Sequence, residues 1–378
     1  MKVLILSCNT GEGHNSAGKA LVECIRLHGD EADMLDVMLL AGKRTSRIVG
    51  GGYVSVVKHA PRFFHFLYKV GGRVSSSRRK SPVYYANALL AKRLKKYIDQ
   101  HGYDIIVATH LFPAETLTHM KSKNMLSQKV IAVETDYTCI PFWEETNCDY
   151  YIIPHKELKE VFSSKGIPEH KLRPYGIPVR QAFSQPRLKD SARNTCRIPQ
   201  DAHVFLIMSG SMGFGKIQLF VAELIRKAEE HDYIIVICGN NHKLYTVLNT
   251  AFGRFPNVKI MGYTDHIAAY MDASDVLFTK PGGLTSTEAA VKGIPIVHTN
   301  PIPGCETENL NFYLEKGLSV SSNKFLGQIR LGRSLLHDSN KQDIMRHAQA
   351  QTIPHDAATH IYKLLRRQCM MSEMEENL

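Results

Sequence analysis

The chain predicts an α/β protein built from two similar, doubly wound parallel sheets. Three observations carry this reading. Apolar strand-like runs alternate with helix-like runs along almost all 378 residues, the pattern of parallel strands covered by helices. Both halves open with a strand, a glycine-rich turn and a helix. A chain of this length can also bury two ordinary cores.

In the first half, strands are predicted over residues 2–8, 33–37, 104–109, 129–134 and 150–153. In the second they are predicted over 204–209, 233–238, 258–261, 275–279 and 295–298. Helical periodicity fills 16–27, 217–230 and 242–250 between them. Residues 173–199 hold Pro174, Pro178, Pro186 and Pro199 without sustained periodicity, and mark the break between domains. The expected division is 1–178, 179–354, and a final helix and acidic tail over 355–378 that can pack back on the first domain.

Composition narrows the class. No C-x-x-C pair occurs among the eight cysteines, and several lie in or beside apolar runs, as reduced thiols of a cytosolic protein do. The first apolar run, residues 3–6, is too short for a signal peptide. No stretch approaches the ~20 apolar residues of a spanning helix. The charge is uneven: residues 37–98 contain 14 Lys or Arg and no Asp or Glu. The remainder carries 33 basic against 36 acidic residues, so the whole positive excess lives in one segment.

Each strand–turn–helix junction offers a candidate site. After the strand over 275–279 comes Thr279-Lys-Pro-Gly-Gly-Leu-Thr-Ser-Thr-Glu288. Its Pro-Gly-Gly turn lets backbone approach a ligand closely, and the following helix start offers N–H groups to an anion. Glu288 is placed to accept hydrogen bonds from a ribose diol. The first turn, Asn9 to Ser16, is an incomplete dinucleotide fingerprint, with Ser16 at the third glycine position and Gly18 shortly after. His14 in that turn lies at the ligand-binding edge, where imidazole suits a general base acting on an alcohol. Helix capping is the alternative role, and its place in the crevice favours catalysis. Asp136 also ends a strand on that edge. It can orient His14, act as the base itself, or cap a turn.

In the second half, Met208 to Lys216 carries Gly210, Ser211 and Gly213 in a turn able to hold a phosphate. It lacks the spacing of a nucleotide-hydrolysing P-loop. Tyr263 can meet a nucleobase or close a turn. The loop from Pro301 delivers Glu306, Glu308 and Asn309 to a helix start, to grip sugar hydroxyls or to cap the helix.

Taken in order, Asn9–Ser16, Glu134–Tyr137, Gly176–Pro178, Gly210–Gly215, Lys280–Glu288 and Gly304–Asn309 make the chain resemble the lipid-acting branch of the GT-B glycosyltransferases. That branch holds the monogalactosyldiacylglycerol synthases and bacterial diacylglycerol glucosyltransferases, and the resemblance covers nearly the whole length. It implies two Rossmann-like domains facing across a cleft, and an inverting transfer of hexose (glucose or galactose) from UDP-hexose to 1,2-diacylglycerol. It implies His14 as the base on the acceptor hydroxyl. Gly210, Ser211, Gly282, Gly283, Leu284 and Thr285, next to Pro281, would line the diphosphate site. Glu288 would hold the ribose, and Glu306, Glu308 and Asn309 would contact the donor sugar. In many relatives three glycines run together near His14, where this chain has Glu12.

Backbone N–H groups and helix ends can stabilise a UDP leaving group, and no His/Asp cluster has ligand spacing. The expectation is therefore no cofactor and no obligatory metal. Within the basic segment, 43–96, aromatic and aliphatic residues interleave with Lys and Arg from Tyr53 to Val70. Such a stripe can sit in a lipid interface with its charges on anionic head groups, at roughly 1 kcal/mol for each Lys or Arg. A solvated basic face is the alternative. Nucleic acid is not expected, since no nucleic-acid-binding motif accompanies the patch. The expected location is the cytoplasm, peripherally on the inner face of the membrane. Competing functions are N-acetylglucosaminyl-type transfer to a lipid-diphosphate cell-wall precursor, and a non-catalytic membrane- or nucleic-acid-binding protein. An NAD-dependent oxidoreductase is disfavoured by the broken fingerprint.

Overall fold

The computed structural model describes residues 1–9, 11–42, 44, 80–185, 187–208 and 217–376. The chain divides into two compact units. One comprises Met1–Gln181, Pro303–Cys305 and Asp356–Leu378, the other Ala182–Ile302 and Glu306–His355.

The first unit is built on a parallel sheet of β1 (Lys2–Ser7), β2 (Glu31–Asp36), β3 (Ile105–Ala108), β4 (Lys129–Val133), β5 (Tyr150–Ile152) and β6 (Leu172–Arg173), in the order β2-β1-β3-β4-β5-β6. The strands read as continuous apolar runs because helices cover both faces; all four residues of β3 are buried. The helix α1 (Glu12–Leu27) follows β1 and lies tight on the sheet. A Cβ on Gly18 would come within 2.9 Å of the Met34 methyl and 3.3 Å of Ile5. Gly18 thus supplies the close helix–strand packing that the third glycine of a dinucleotide fingerprint supplies elsewhere. The core of Val3, Ile5, Leu21, Ile105, Val107 and Ile131 is completed by Ile361, Leu364 and Leu365 from the last helix, Ala357–Glu376. That helix is anchored where the Tyr362 hydroxyl donates to Asp30 at 2.9 Å and its ring stacks on His28 at 4.1 Å.

The second unit carries β7 (His203–Met208), β8 (Asp232–Ile237), β9 (Val258–Met261), β10 (Val276–Thr279), β11 (Ile296–His298) and β12 (Val320–Ser321), all parallel, in the order β12-β11-β10-β7-β8-β9. This is the dinucleotide-binding strand order, with its switch point between β7 and β10. Its core centres on Phe205, Phe220 and Phe278, with Phe220 edge-on to Phe278 at 5.1 Å.

Ten predicted strands are present with ends shifted by no more than two residues. The sequence reading lacked β6 and β12, which are two residues long and carry no period. It also treated 173–199 as irregular, whereas the structure holds a helix over Lys189–Cys196. That helix is polar in sequence because its buried Arg193 works as a clamp. Its guanidinium donates to the carbonyls of Ala202 (2.7 Å) and Ala273 (3.2 Å) and to the Asp275 carboxylate (3.1 Å). No described helix is long and apolar enough to cross a membrane.

Candidate active site

In the first unit, three strand ends converge on one imidazole. His14 stands in the first turn of α1, just beyond β1. Thr109 and His110 leave β3, and Glu134, Thr135 and Asp136 leave β4. The β1–β3 pair is where the strand order reverses, so these residues sit at the switch point of the sheet. His14 Nδ1 lies 3.0 Å from the Thr109 carbonyl oxygen and 2.9 Å from Thr135 Oγ1. A carbonyl only accepts, so Nδ1 donates and carries the proton of the neutral ring. The lone pair is thereby left on Nε2. Burial holds the His14 pKa below the usual histidine range, against the upward pull of Asp136 and the Thr109 carbonyl. The ring is therefore neutral at pH 7, as a base must be. Beside it, Ser7 Oγ donates to Asn15 Oδ1 at 2.7 Å and ties the turn to β1.

Asp136 is half-buried and acts on His14 through its charge. Its neighbour Glu134 is 2% exposed, and one carboxylate oxygen has no hydrogen-bond partner. Burial, then Asp136, push the Glu134 pKa well above the carboxylate range, opposed by Lys165. Burial and a like charge beside it both disfavour the ionised form of Glu134.

In the second unit, the helix α2 (Gly283–Lys292) begins directly after β10 with Gly282 at its cap. The turn is braced from behind. Asn309 Nδ2 donates to the Pro281 carbonyl at 3.0 Å. Lys280 pairs with Glu306, whose other oxygen accepts the Ile302 N–H at 2.9 Å. Pro281, Gly283 and Leu284 are buried, whereas Gly282 and Thr285 keep partial exposure. Among the described residues, a Cβ on Gly282 would meet only Lys280 Nζ, at 4.0 Å. Glu288 is buried one turn in. Deeper still, His298 bridges Ser286 (2.9 Å at Nε2) and Ser319 (2.9 Å at Nδ1).

The expected sugar-gripping trio divides. Glu306 and Asn309 are buried and hold the Lys280–Pro281 turn, while Glu308 is exposed. Tyr263 is 55% exposed, with its hydroxyl on Asp265 at 2.8 Å. Gly210, Ser211 and Gly213 lie outside the described residues, as do Lys43 and residues 45–79 of the basic segment. Sequence reading missed Thr109, His110 and Thr135. The signal was available, since Thr109 and His110 directly follow an apolar strand and so fall on the same edge as His14.

Comparison with known proteins agrees with this architecture. The Monogalactosyldiacylglycerol (MGDG) synthase family matches residues 14–179, and the Glycosyltransferase family 28 C-terminal domain matches residues 204–302. The processive diacylglycerol beta-glucosyltransferase of Bacillus licheniformis is 27% identical over 347 residues, covering 91% of this chain and 89% of that one. Its Bacillus subtilis counterpart is 27% identical over 341 residues, covering 90% and 88%. Among solved structures, Acinetobacter baumannii MurG superposes with a TM-score of 0.62 at 14% identity, over 97% of this chain and 99% of that one. The fold is that of the GT-B class. Within that class, the chain is similar to the monogalactosyldiacylglycerol synthases and the bacterial diacylglycerol glucosyltransferases.

Proposed function

We propose that the protein transfers a hexose, glucose first among candidates, from UDP-hexose to 1,2-diacylglycerol with inversion at the anomeric carbon. The observation that carries this is the locked tautomer of His14, in a chain whose relatives are named for this reaction. The diacylglycerol hydroxyl oxygen attacks C1 of the sugar from the face opposite UDP. The C1–oxygen bond to the β-phosphate breaks as the new glycosidic bond forms. His14 Nε2 takes the hydroxyl proton, and UDP leaves with the bonding electrons. The α2 N-terminus and the Pro281–Thr285 turn stabilise the diphosphate, Glu288 holds the ribose and Glu308 reaches the sugar. Asp136 supports the imidazolium that forms. Glu306 and Asn309 serve this site by holding the turn.

The acceptor lives in a membrane, and docking on the anionic inner face through segment 43–96 supplies access to it. In its described part, Tyr85 is 60% and Leu89 82% exposed, beside Lys92, Arg93, Lys95 and Lys96. Radiolabelled UDP-glucose and UDP-galactose, offered with liposomes of diacylglycerol and phosphatidylglycerol, test the reading. A neutral glycolipid should form and fall as salt rises. No glycolipid from either donor would refute it.

A further inference from the structure

His110 has no part in the reaction as written, yet it is the side chain packed against the proposed base. It caps the helix Leu111–Ser122: His110 Nδ1 accepts the Phe112 N–H at 3.1 Å. An acceptor Nδ1 places the proton of the neutral ring on Nε2. The His110 and His14 ring centroids are 4.6 Å apart and their planes stand at 85°. The two rings are thus locked independently and in opposite senses. His14 is tied at Nδ1 as a donor, leaving a basic Nε2. His110 is tied at Nδ1 as an acceptor.

We propose that His110 is a positioning residue for the catalytic base: its ring, fixed by the helix cap, sets the rotation of His14 about the Thr109 bond and keeps that imidazole dry. This rests on His14 being the base. Both polar contacts of His14, to the Thr109 carbonyl and Thr135 Oγ1, are made at Nδ1 and so leave the ring free to pivot about that atom, and a perpendicular ring against it removes that freedom. Angular errors of this kind cost rate when the reacting atoms must meet within a few tenths of an ångström. The ring also excludes water. Among the described residues, the titratable groups facing His14 are Asp136 from the β4 end, which pulls its pKa up, and His110 from the β3 end. Burial pushes the His110 pKa well down, so His110 adds bulk beside His14 without adding charge.

His110→Asn tests this, because Asn is itself a strong helix cap and preserves the structural role while removing the ring. Expected are a kcat lower by about 10- to 100-fold, an unchanged KM for UDP-glucose and an unchanged melting temperature. The acid limb of the pH–rate profile should move to higher pH as His14 becomes wetter. His110→Phe keeps a ring but no cap. It should keep the native acid limb and lose stability. His110→Ser, another capping residue, supplies the same readouts should the Asn chain fail to fold. A native kcat and a native acid limb in the capped, ringless variants would overturn the proposal. His14→Asn, assayed alongside, separates the two layers. If it is inactive while His110→Asn behaves as native, only the positioning role falls. If it retains native kcat, the base assignment itself falls.

Discussion

At the scale of single residues, the proposed role of His14 as base depends on which of its nitrogens holds a proton. The Thr109 carbonyl decides that, and burial decides that the ring stays neutral. Replacing His14 with Asn should lower kcat by about 10²- to 10⁴-fold, with the affinity for UDP unchanged, as measured by steady-state glycolipid synthesis and by calorimetry. With His14 as the proposed base, activity should be lost when its ring is protonated. Its acid limb should therefore lie below about pH 6.5, the ordinary histidine value, because the shift at His14 is downward. Gly282 tests the other half of the reaction. Its φ of −78° is open to any residue, and the described residues leave room for a Cβ. Gly282→Ala should fold with native stability yet bind UDP at least about tenfold more weakly, a loss of roughly 1.4 kcal/mol. Unchanged affinity would place the diphosphate elsewhere.

At the scale of elements, the helices are held at distances that glycine sets. Gly332 lies in the helix Phe325–Leu336 over β10, and a Cβ there would come within 2.9 Å of Phe278 Cε1 and closer still to Cζ. Phe278 is fully buried between Phe205 and Phe220, so it has nowhere to go. Gly332→Ala gains about 1 kcal/mol of helix propensity but overpacks the core. A net destabilisation of about 1–3 kcal/mol is expected in urea unfolding. The element scale also shows how much of the site was legible. His14, Asp136, Pro281, Gly282 and Glu288 were readable because each follows an apolar strand, and strand ends are where such sheets bind ligands. His110 was readable as a residue of that edge, but its cap on Leu111–Ser122 and its contact with His14 were not, because they are facts of packing with no period in the sequence. Glu306 and Asn309 were readable as residues of the candidate site, but their contacts with Lys280 and the Pro281 carbonyl were not.

At the scale of the whole molecule, each sheet carries buried polar groups that link folding to pH. His298 is the strongest case. Burial pushes its pKa down to about 3, between Ser286 and Ser319. Between about pH 6.5 and that value the unfolded chain binds the extra proton, so stability falls as pH falls, by up to about 1.4 kcal/mol per pH unit. Urea unfolding at about pH 7 and about pH 5 should show this loss in the native protein. The loss should be smaller in His298→Gln, whose side chain does not titrate. An equal loss in both would show that His298 is not the linked group.

The sequence by itself determined the class of fold, the ten longer strands and the turns that present ligand-binding backbone. Those follow from local periodicity and from what glycine, proline and apolar runs can do. Only the tertiary structure decided that the last helix completes the core of the first unit, that Arg193 clamps a polar helix in place, and that the Thr109 carbonyl leaves the lone pair of His14 on Nε2. These depend on residues distant in the chain being brought within hydrogen-bonding or van der Waals reach. That juxtaposition is created by packing, and no local pattern encodes it.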